Sequence, residues 1–550
     1  MTVQKHGARD GQHYDGIIPT EHDPLLPRPP QPPAGDSDPR APAQDDPFAS
    51  GDVVTAEEHR SFQRGLEQRH LSMIGIAGAI GTGLFLGLGG AVQTGGPLGA
   101  LLGYGVIGLV VCAVQFALGE VAALLPVTGS FVRHAEFLVD PAWGVALGYN
   151  LVYGNILSIP SEITAVCVLF RFWWPDANPT PIILVFVLLT LAVGLARIRV
   201  FGEVEYLFAW LKVLLIVFLI VLGLFIALGA IPGTPALGFR YWRDPGPFVE
   251  HMAPGALGHF LGFWQALAGA VFSFAGVESI AMAAAETQDP RSAIPAACKR
   301  VFLRIFLFYM LAILVVGMLV ASNDPRLDGA AGDAAQSPFV IAASAAGIPL
   351  IPSVVNAVVV TSAWSASNQS LLSGSRVLYG LALKGQAPRV FLRTTSWGSP
   401  YACVLLFGAF MLLSFLSLSS GALTVFWWFV DLTAAGVLVS WSAILYNHIR
   451  LRSAMRVQGI PESRLPWHNK HTVYTSRAAL CMCVLILLTS GFSTFIKGHW
   501  DTSVFVSSYL DIPLVLSVFL IWKFWKNTKP IPLHKIPLHE VLDHIDESGE

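Results

Sequence analysis

Charge is what this chain has least of. Only 13% of its 550 residues are Asp, Glu, Lys or Arg, against about 25% in an ordinary soluble domain. That scarcity excludes a large water-facing surface. Cysteine is scarce too: Cys112, Cys167, Cys298, Cys403, Cys481 and Cys483 each fall in or beside an apolar run. They lack the pattern of a disulfide framework and read as packing residues. Cys481 and Cys483, two apart in one run, should face different ways. No Walker loop, GxSxG elbow or Ser–His–Asp arrangement occurs, and no histidine shares a helical face with carboxylates at a recognised ligand spacing. An enzyme, a metal site and an organic cofactor are therefore not expected. The net charge of −2, with basic residues confined to loops, offers nothing to a nucleic acid.

What the chain has instead is apolar length. Hydrophobic residues make up 54% of it. Twelve stretches approach the length that spans about 30 Å of hydrocarbon. They lie near 71–93, 98–123, 142–173, 180–196, 204–229, 259–285, 301–321, 350–375, 401–419, 423–447, 478–496 and 502–525. The expected fold class is an all-α membrane protein of twelve transmembrane helices. Residues 1–69 are polar and Pro-rich and read as a disordered cytosolic tail, with 70–525 as the helical domain and 526–550 as a second cytosolic tail. The first apolar segment is expected to act as an uncleaved anchor. With the N-terminus placed in the cytosol, the inner loops carry seventeen Lys and Arg against five outside, from Arg133 and Arg197 through Lys384 to Arg477. That asymmetry fits the positive-inside rule, with both termini cytosolic.

Two of these segments look broken. The first carries Gly78-Ala79-Ile80-Gly81-Thr82-Gly83 at its middle, and the sixth carries Ser273-Phe274-Ala275-Gly276-Val277-Glu278-Ser279. An unpaired backbone group in hydrocarbon costs several kcal/mol, so breaks survive only where they line a cavity. Each interior glycine costs about 1 kcal/mol in a helix. Close packing through small residues is the plain reading, and Gly75, Gly87, Gly89 and Gly90 suit it. The other reading is an unwound stretch at Ile80, Gly81, Thr82 and Gly83 whose N–H groups, with the dipole of the following half-helix, hold an anion. Freed carbonyls near Phe272, Ser273, Phe274 and Gly276 suit an ammonium group. Together they match an α-amino acid zwitterion. Breaks in the first and sixth segments also fit five helices repeated in inverted order, with substrate at the repeat interface.

The motifs carry a resemblance. Arg69-His70-Leu71-Ser72-Met73-Ile74 with Gly81-Thr82-Gly83-Leu84-Phe85 resembles the opening of fungal amino acid permeases. So do Gly119-Glu120-Val121-Ala122, Pro126-Val127-Thr128-Gly129-Ser130-Phe131 and Asp140-Pro141-Ala142-Trp143-Gly144. Phe272–Ser279, Glu286 with Asp289-Pro290-Arg291, Thr361-Ser362-Ala363-Trp364-Ser365, Ser375-Arg376-Val377-Leu378-Tyr379 and Gln458-Gly459-Ile460 continue it in order. The resemblance covers about 69–530 and implies the amino acid–polyamine–organocation superfamily. Its fold is LeuT-like: a five-plus-five inverted repeat with discontinuous helices 1 and 6, and two further helices.

The resemblance places a substrate between helices 1, 3, 6 and 8. Gly154, Ser158 and Glu162, at four-residue spacing, would form the side-chain end with Thr361 and Ser365, and Phe272 stands at the position of the lid. Lys212 lies in helix 5, where proton-using members carry a lysine and sodium-coupled relatives bind an ion. With Glu120 and Glu278, both intramembrane acids, it is the expected proton-coupling set; the plainer reading makes Glu120, near the inner end of helix 2, a structural partner for a loop arginine, and Lys212 a structural pair. Asp431 is left unassigned. Substrates are expected to be neutral amino acids, proline among them, with basic ones as the alternative. A sensor of the same fold, or a polyamine or choline carrier, remains a competing reading. The tails hold Glu21-His22-Asp23-Pro24-Leu25-Leu26 and Tyr14-Asp15-Gly16-Ile17, patterns read by trafficking adaptors; those adaptors and the ubiquitin ligase machinery are the protein partners considered. The plasma membrane is the expected site, with vacuolar or endosomal membrane as the alternative.

Overall fold

The chain divides into two units, Met1–Gly51 and Asp52–Glu550. The computed structural model describes residues 81–548 of the second unit, apart from 126, 128, 232–234, 279–289, 328–336 and 349. The described residues form helices and no strand.

Helix α1 (Thr82–Leu124) is two arms joined at Gly96, which adopts φ +74° ahead of Pro97. A Cβ at Gly96 would stand 2.6 Å from the Pro247 carbonyl oxygen, so only glycine fits this corner. Next come α2 (Ser130–Leu138), α3 (Pro141–Phe170), α4 (Pro179–Leu195), α5 (Ile198–Ala227) and α6 (Gly255–Ser273). They are followed by α7 (Pro290–Leu319), α8 (Pro338–Ala345), α9 (Leu350–Leu383), α10 (Tyr401–Ser420), α11 (Ala422–Val457) and α12 (Thr472–Thr489). Then α13 (Thr502–Tyr509) meets α14 (Asp511–Lys526) at a 42° bend, and α15 (Leu538–Ser548) ends the series. Local chemistry sets several starts. Asp140 caps α3 by accepting from the Ala142 N–H at 2.9 Å, with Pro141 at the first helical position. Asn178 and Asp501 do the same for α4 and α13.

Among the described residues, eight helices are long and apolar enough to cross a membrane, or nine with the bent α13–α14 pair. The sequence predicts twelve. The numbers differ because α1 counts once despite its two arms, while α4 and the apolar part of α7, Phe306–Leu319, fall short of a full span. The core lies where α1, α3, α6, α7, α9 and α11 meet, filled by Tyr104, Tyr309, Phe274 and Trp441. Leu184, Leu188, Leu214, Phe225, Leu485 and Leu488 point outward on α4, α5 and α12, as a face toward lipid requires. Cys483 is buried and Cys481 exposed, on opposite sides of α12.

The segment after α14, expected as a polar tail, folds back onto one end of the bundle. Ile536, Leu538, Leu542 and Ile545 pack against Leu124, Leu138, Leu451 and Met455. The Ile531 N–H donates to the Val139 carbonyl at 2.8 Å, and Gln458 Nε2 donates to the carbonyls of Leu533 and Ile536. Lys523 pairs with Asp140 at 2.6 Å.

Candidate functional site

α1 begins at the first predicted break. Gly81 is extended, at φ −112° and ψ −165°, and Thr82 is the first helical residue. The first N–H groups of a helix have no acceptor within it, and the helix dipole is positive there. Beside this start lies a cavity of about 110 Å³. α6 supplies the facing wall. It ends at Ser273, and turns follow over 274–278, with Gly276 at φ +89°. Whether helix resumes after this turn falls outside the described residues, as do Glu286 and the first segment before Gly81.

Of the residues expected to hold substrate, the cavity is lined by Gly81, Gly83, Gly154, Ser158, Glu162, Phe272, Ser273 and Gly276. The expected coupling residue Glu278 joins them. Ile80 lies outside the described residues. Gly83 is held in place by steric necessity: a Cβ there would meet Phe272 Cδ1 at 2.9 Å and Ser273 Cα at 3.0 Å. Gly154 is the opposite case, with nothing within 4 Å of an added Cβ. The carbonyls at the end of α6 are partly engaged already. That of Ser273 accepts from the Tyr309 hydroxyl at 2.6 Å, and that of Phe272 from the Ala275 N–H at 3.1 Å. The Phe272 carbonyl also accepts from the Phe274 N–H, so of the two the Ser273 carbonyl is the one with a second lone pair to offer.

The remaining residues are placed elsewhere. Thr82 is fully buried and donates to Glu162 Oε2 at 2.9 Å. Phe274 packs its ring 4.6 Å from that of Tyr309, behind the cavity wall. Thr361 donates to the Val358 carbonyl of its own helix. Ser365 turns away to Glu205 Oε2, at 2.6 Å. α9 therefore presents a different stripe to the cavity: Ala366, Gln369, Ser370 and Ser373. Ser158 and Ser370 exchange a hydrogen bond at 3.0 Å across that wall.

Lys212 is buried within the bundle at 1% exposure. Its charge interacts with two acids, Glu205 and Glu162. Glu205 escaped the sequence reading, although it stands seven residues before Lys212 and so on the same face of α5. Lys212, Glu205, Ser365, Glu162 and Thr82 link α5, α9, α3 and the start of α1. Glu278 accepts from Trp441 Nε1 at 3.2 Å. Glu120 is nowhere near the cavity lining. It pairs with His448 Nε2 at 2.9 Å and Arg452 Nε at 2.5 Å, and His448 Nδ1 meets the Ser476 hydroxyl at 3.0 Å. Among the described residues, no group of three or more His, Cys, Asp or Glu could hold a metal ion.

A small cavity at a helix start, deep among membrane-length helices, defines an integral membrane carrier. The family model for amino acid permeases matches residues 70–535, and the chain belongs to that family. It is a permease and not an enzyme. It is 38% identical to the proline-specific permease of Emericella nidulans, over 92% of this chain and 93% of that protein. It is 35% identical to the dicarboxylic amino acid permease of Saccharomyces cerevisiae, over 92% and 84%. The general amino-acid permease of the same yeast is also 35% identical, over 90% and 82%. Among solved structures, the manganese transporter of Eremococcus coleocola, in complex with an aromatic bis-isothiourea substituted compound, superposes with a TM-score of 0.53 at 10% identity, over 83% of this chain and 94% of that one. That likeness concerns the fold, which is LeuT-like.

Proposed function

We propose that the chain is a proton-coupled importer of neutral amino acids, proline among them. The observation that carries this reading is the composition of the cavity wall. Among the described residues its lining holds two acids, Glu162 and Glu278, and no Lys, Arg or His. An acidic substrate side chain would meet no cation there, and unpaired charge in a dry site costs several kcal/mol. The substrate carboxylate goes to the N–H groups at Gly81–Gly83, and the ammonium to the carbonyls at the end of α6, that of Ser273 first. The side chain points along Gly154 and Ser158. Glu162 and Glu278, each already hydrogen-bonded, favour a basic substrate as the second reading.

Coupling follows from competition at the start of α1. Glu162 Oε1 lies 3.7 Å from where a Cβ on Gly81 would be. A charged Glu162 and a substrate carboxylate would repel each other at one helix terminus. Loading a proton on the Lys212–Glu205–Glu162 set removes that conflict, which ties proton to substrate. In this reading the end of the bundle that carries α2 and α15 is cytosolic, the membrane is the plasma membrane, and the tails meet trafficking adaptors. Uptake of a panel of labelled amino acids by permease-deficient cells expressing the chain tests it. Neutral amino acids should enter best from acidic medium. Stronger competition by unlabelled arginine or glutamate than by proline, alanine or leucine would overturn the assignment.

A further inference from the structure

A second set of polar groups lies behind the cavity, where the α13–α14 bend meets the bundle. The bend falls at Leu510, so Asp511 opens α14 inside the protein rather than at its rim. Asp511 is 0% exposed, and among the described residues neither of its carboxyl oxygens has a hydrogen-bond partner. Its neighbours are in the same condition. The Tyr153 hydroxyl on α3, within electrostatic reach of Asp511, has no partner. Neither has Asn150 Oδ1, although Asn150 Nδ2 donates to the Gly436 carbonyl at 2.9 Å. A Cβ on Gly436 would stand 3.9 Å from Asp511 Oδ1 and 3.3 Å from Asn150 Oδ1. Gly436 and Asn150 both line the substrate cavity. Gly436, which has no side chain and lines that cavity, thus stands beside the Asp511 carboxyl.

A second cavity reaches Ser508, three residues before Asp511, though Asp511 itself is not in its wall. This one, of about 120 Å³, lies between α6, α11, α12 and α13, with Gln265, Asp431, Ser490 and Ser508 in its wall. The Ser507 hydroxyl donates to Asp431 Oδ2 at 3.2 Å, and Gln265 Oε1 is buried without a partner. Ser507 and Ser508 stand four and three residues before Asp511. Asp431 stands five residues before Gly436, about 7.5 Å along α11. Buried polar atoms are almost always satisfied by protein or by water. So many orphans in one seam are the signature of waters that bridge them.

We propose that Asp511 is a proton-binding site on a hydrated path that runs from the Asp431 cavity, along the α11–α13 seam, to the floor of the substrate cavity. A hydronium gives its proton to an Asp511 carboxylate oxygen and leaves as water. The carboxyl then passes the proton through water at Asn150 and Tyr153, returning to the carboxylate. The groups near Asp511 suit this. α3 presents the Tyr153 phenol and the Asn150 amide, α11 carries Asp431 five residues before Gly436, and α13 carries the Ser507 and Ser508 hydroxyls just ahead of Asp511. None of these is a cation that would hold Asp511 permanently charged. The inference rests on the proton-coupled reading above.

The test uses the full chain in proteoliposomes, with the labelled amino acid that the uptake panel ranks first. Wild type should accumulate it when the outside is made acidic. If it does not, both the coupling reading and this site fall. If it does, Asp511→Asn should lose at least tenfold in gradient-driven accumulation while exchange at equal pH stays within about twofold. Asp511→Glu should restore part of the loss. Asp511→Asn that accumulates as wild type overturns the proposal and leaves proton coupling standing. Should Asp511→Asn fail to insert, Tyr153→Phe removes only one hydroxyl from the path. It should shift the outside pH of half-maximal accumulation, and an unmoved pH profile overturns the proposal equally.

Discussion

Glu120 and Glu162 are both buried acids, at 0% and 3% exposure, yet their surroundings have little in common. Glu120 sits in a closed set, with His448, Arg452 and the Asn469 N–H around its two oxygens. Glu162 has one hydroxyl bonded to it, from Thr82, and faces a cavity. An acid whose oxygens are filled by a fixed guanidinium, an imidazole and a backbone N–H serves the architecture. An acid with a vacancy can change its proton or its partner during a cycle. The same chemical group thus acts as a brace at one end of the bundle and as a working part in the middle.

The largest effect should come from breaking the brace. Glu120→Gln leaves the buried Arg452 with only the largely exposed Glu462, at 3.3 Å, as a counter-charge, and removing one member of a buried pair costs about 3–5 kcal/mol. Thermal melting of the detergent-purified protein should fall steeply, with little of it reaching the membrane. A melting curve like wild type would place Glu120 among the working parts after all. Next is Gly83→Leu, which forces a side chain into Phe272 and Ser273. Uptake should drop at least a hundredfold in protein that still inserts, read as transport per surface-labelled molecule. Glu162→Gln comes third. The Thr82 hydroxyl keeps an oxygen to bond, so melting should shift by less than about 1 kcal/mol, while uptake loses its dependence on outside pH and falls about tenfold. Equal losses of stability in the Glu120 and Glu162 variants would erase the distinction between the two sites. Gly154→Ala is the gentlest probe. Its methyl enters open space, and Ala is favoured over Gly in a helix by about 0.5–1 kcal/mol. Stability should rise slightly, and transport of the largest substrates should fall within about twofold.

Much of this was legible in the residue order. Interrupted apolar runs located both walls of the cavity, because glycine and short polar residues are tolerated inside a membrane helix only where a cavity or close contact needs them. A four-residue repeat put Gly154, Ser158 and Glu162 on one face of α3, and the family resemblance turned that face toward substrate. The face of α9 did not follow. Its polar residues are spread around the whole helix, so nothing in the order marks Ala366, Gln369 and Ser370 as inward over Thr361 and Ser365. Glu205 was readable by the spacing that pairs it with Lys212. Asp511 lies in the middle of the apolar run 502–525, but nothing in the residue order marks the bend at Leu510 that starts a new helix there with its carboxyl buried. The docked α15 also left a trace, since Leu538, Leu542 and Ile545 repeat at helical spacing.

The strap formed by 531–548 has a mechanical consequence. It grips the end of α2 through Val139 and α11 through Gln458, with Arg450 bonded to the carbonyls of both Leu138 and Ile531, while Thr528, just ahead of it, donates to Asp140 at the start of α3. Parts that must slide past one another for a carrier to open toward this end are thereby tied like two boards under one cleat. A single peptide-bond cut between 526 and 531 would loosen the tie without touching a residue of the cavity, and the opening rate of that end should then report how tightly the cleat normally holds.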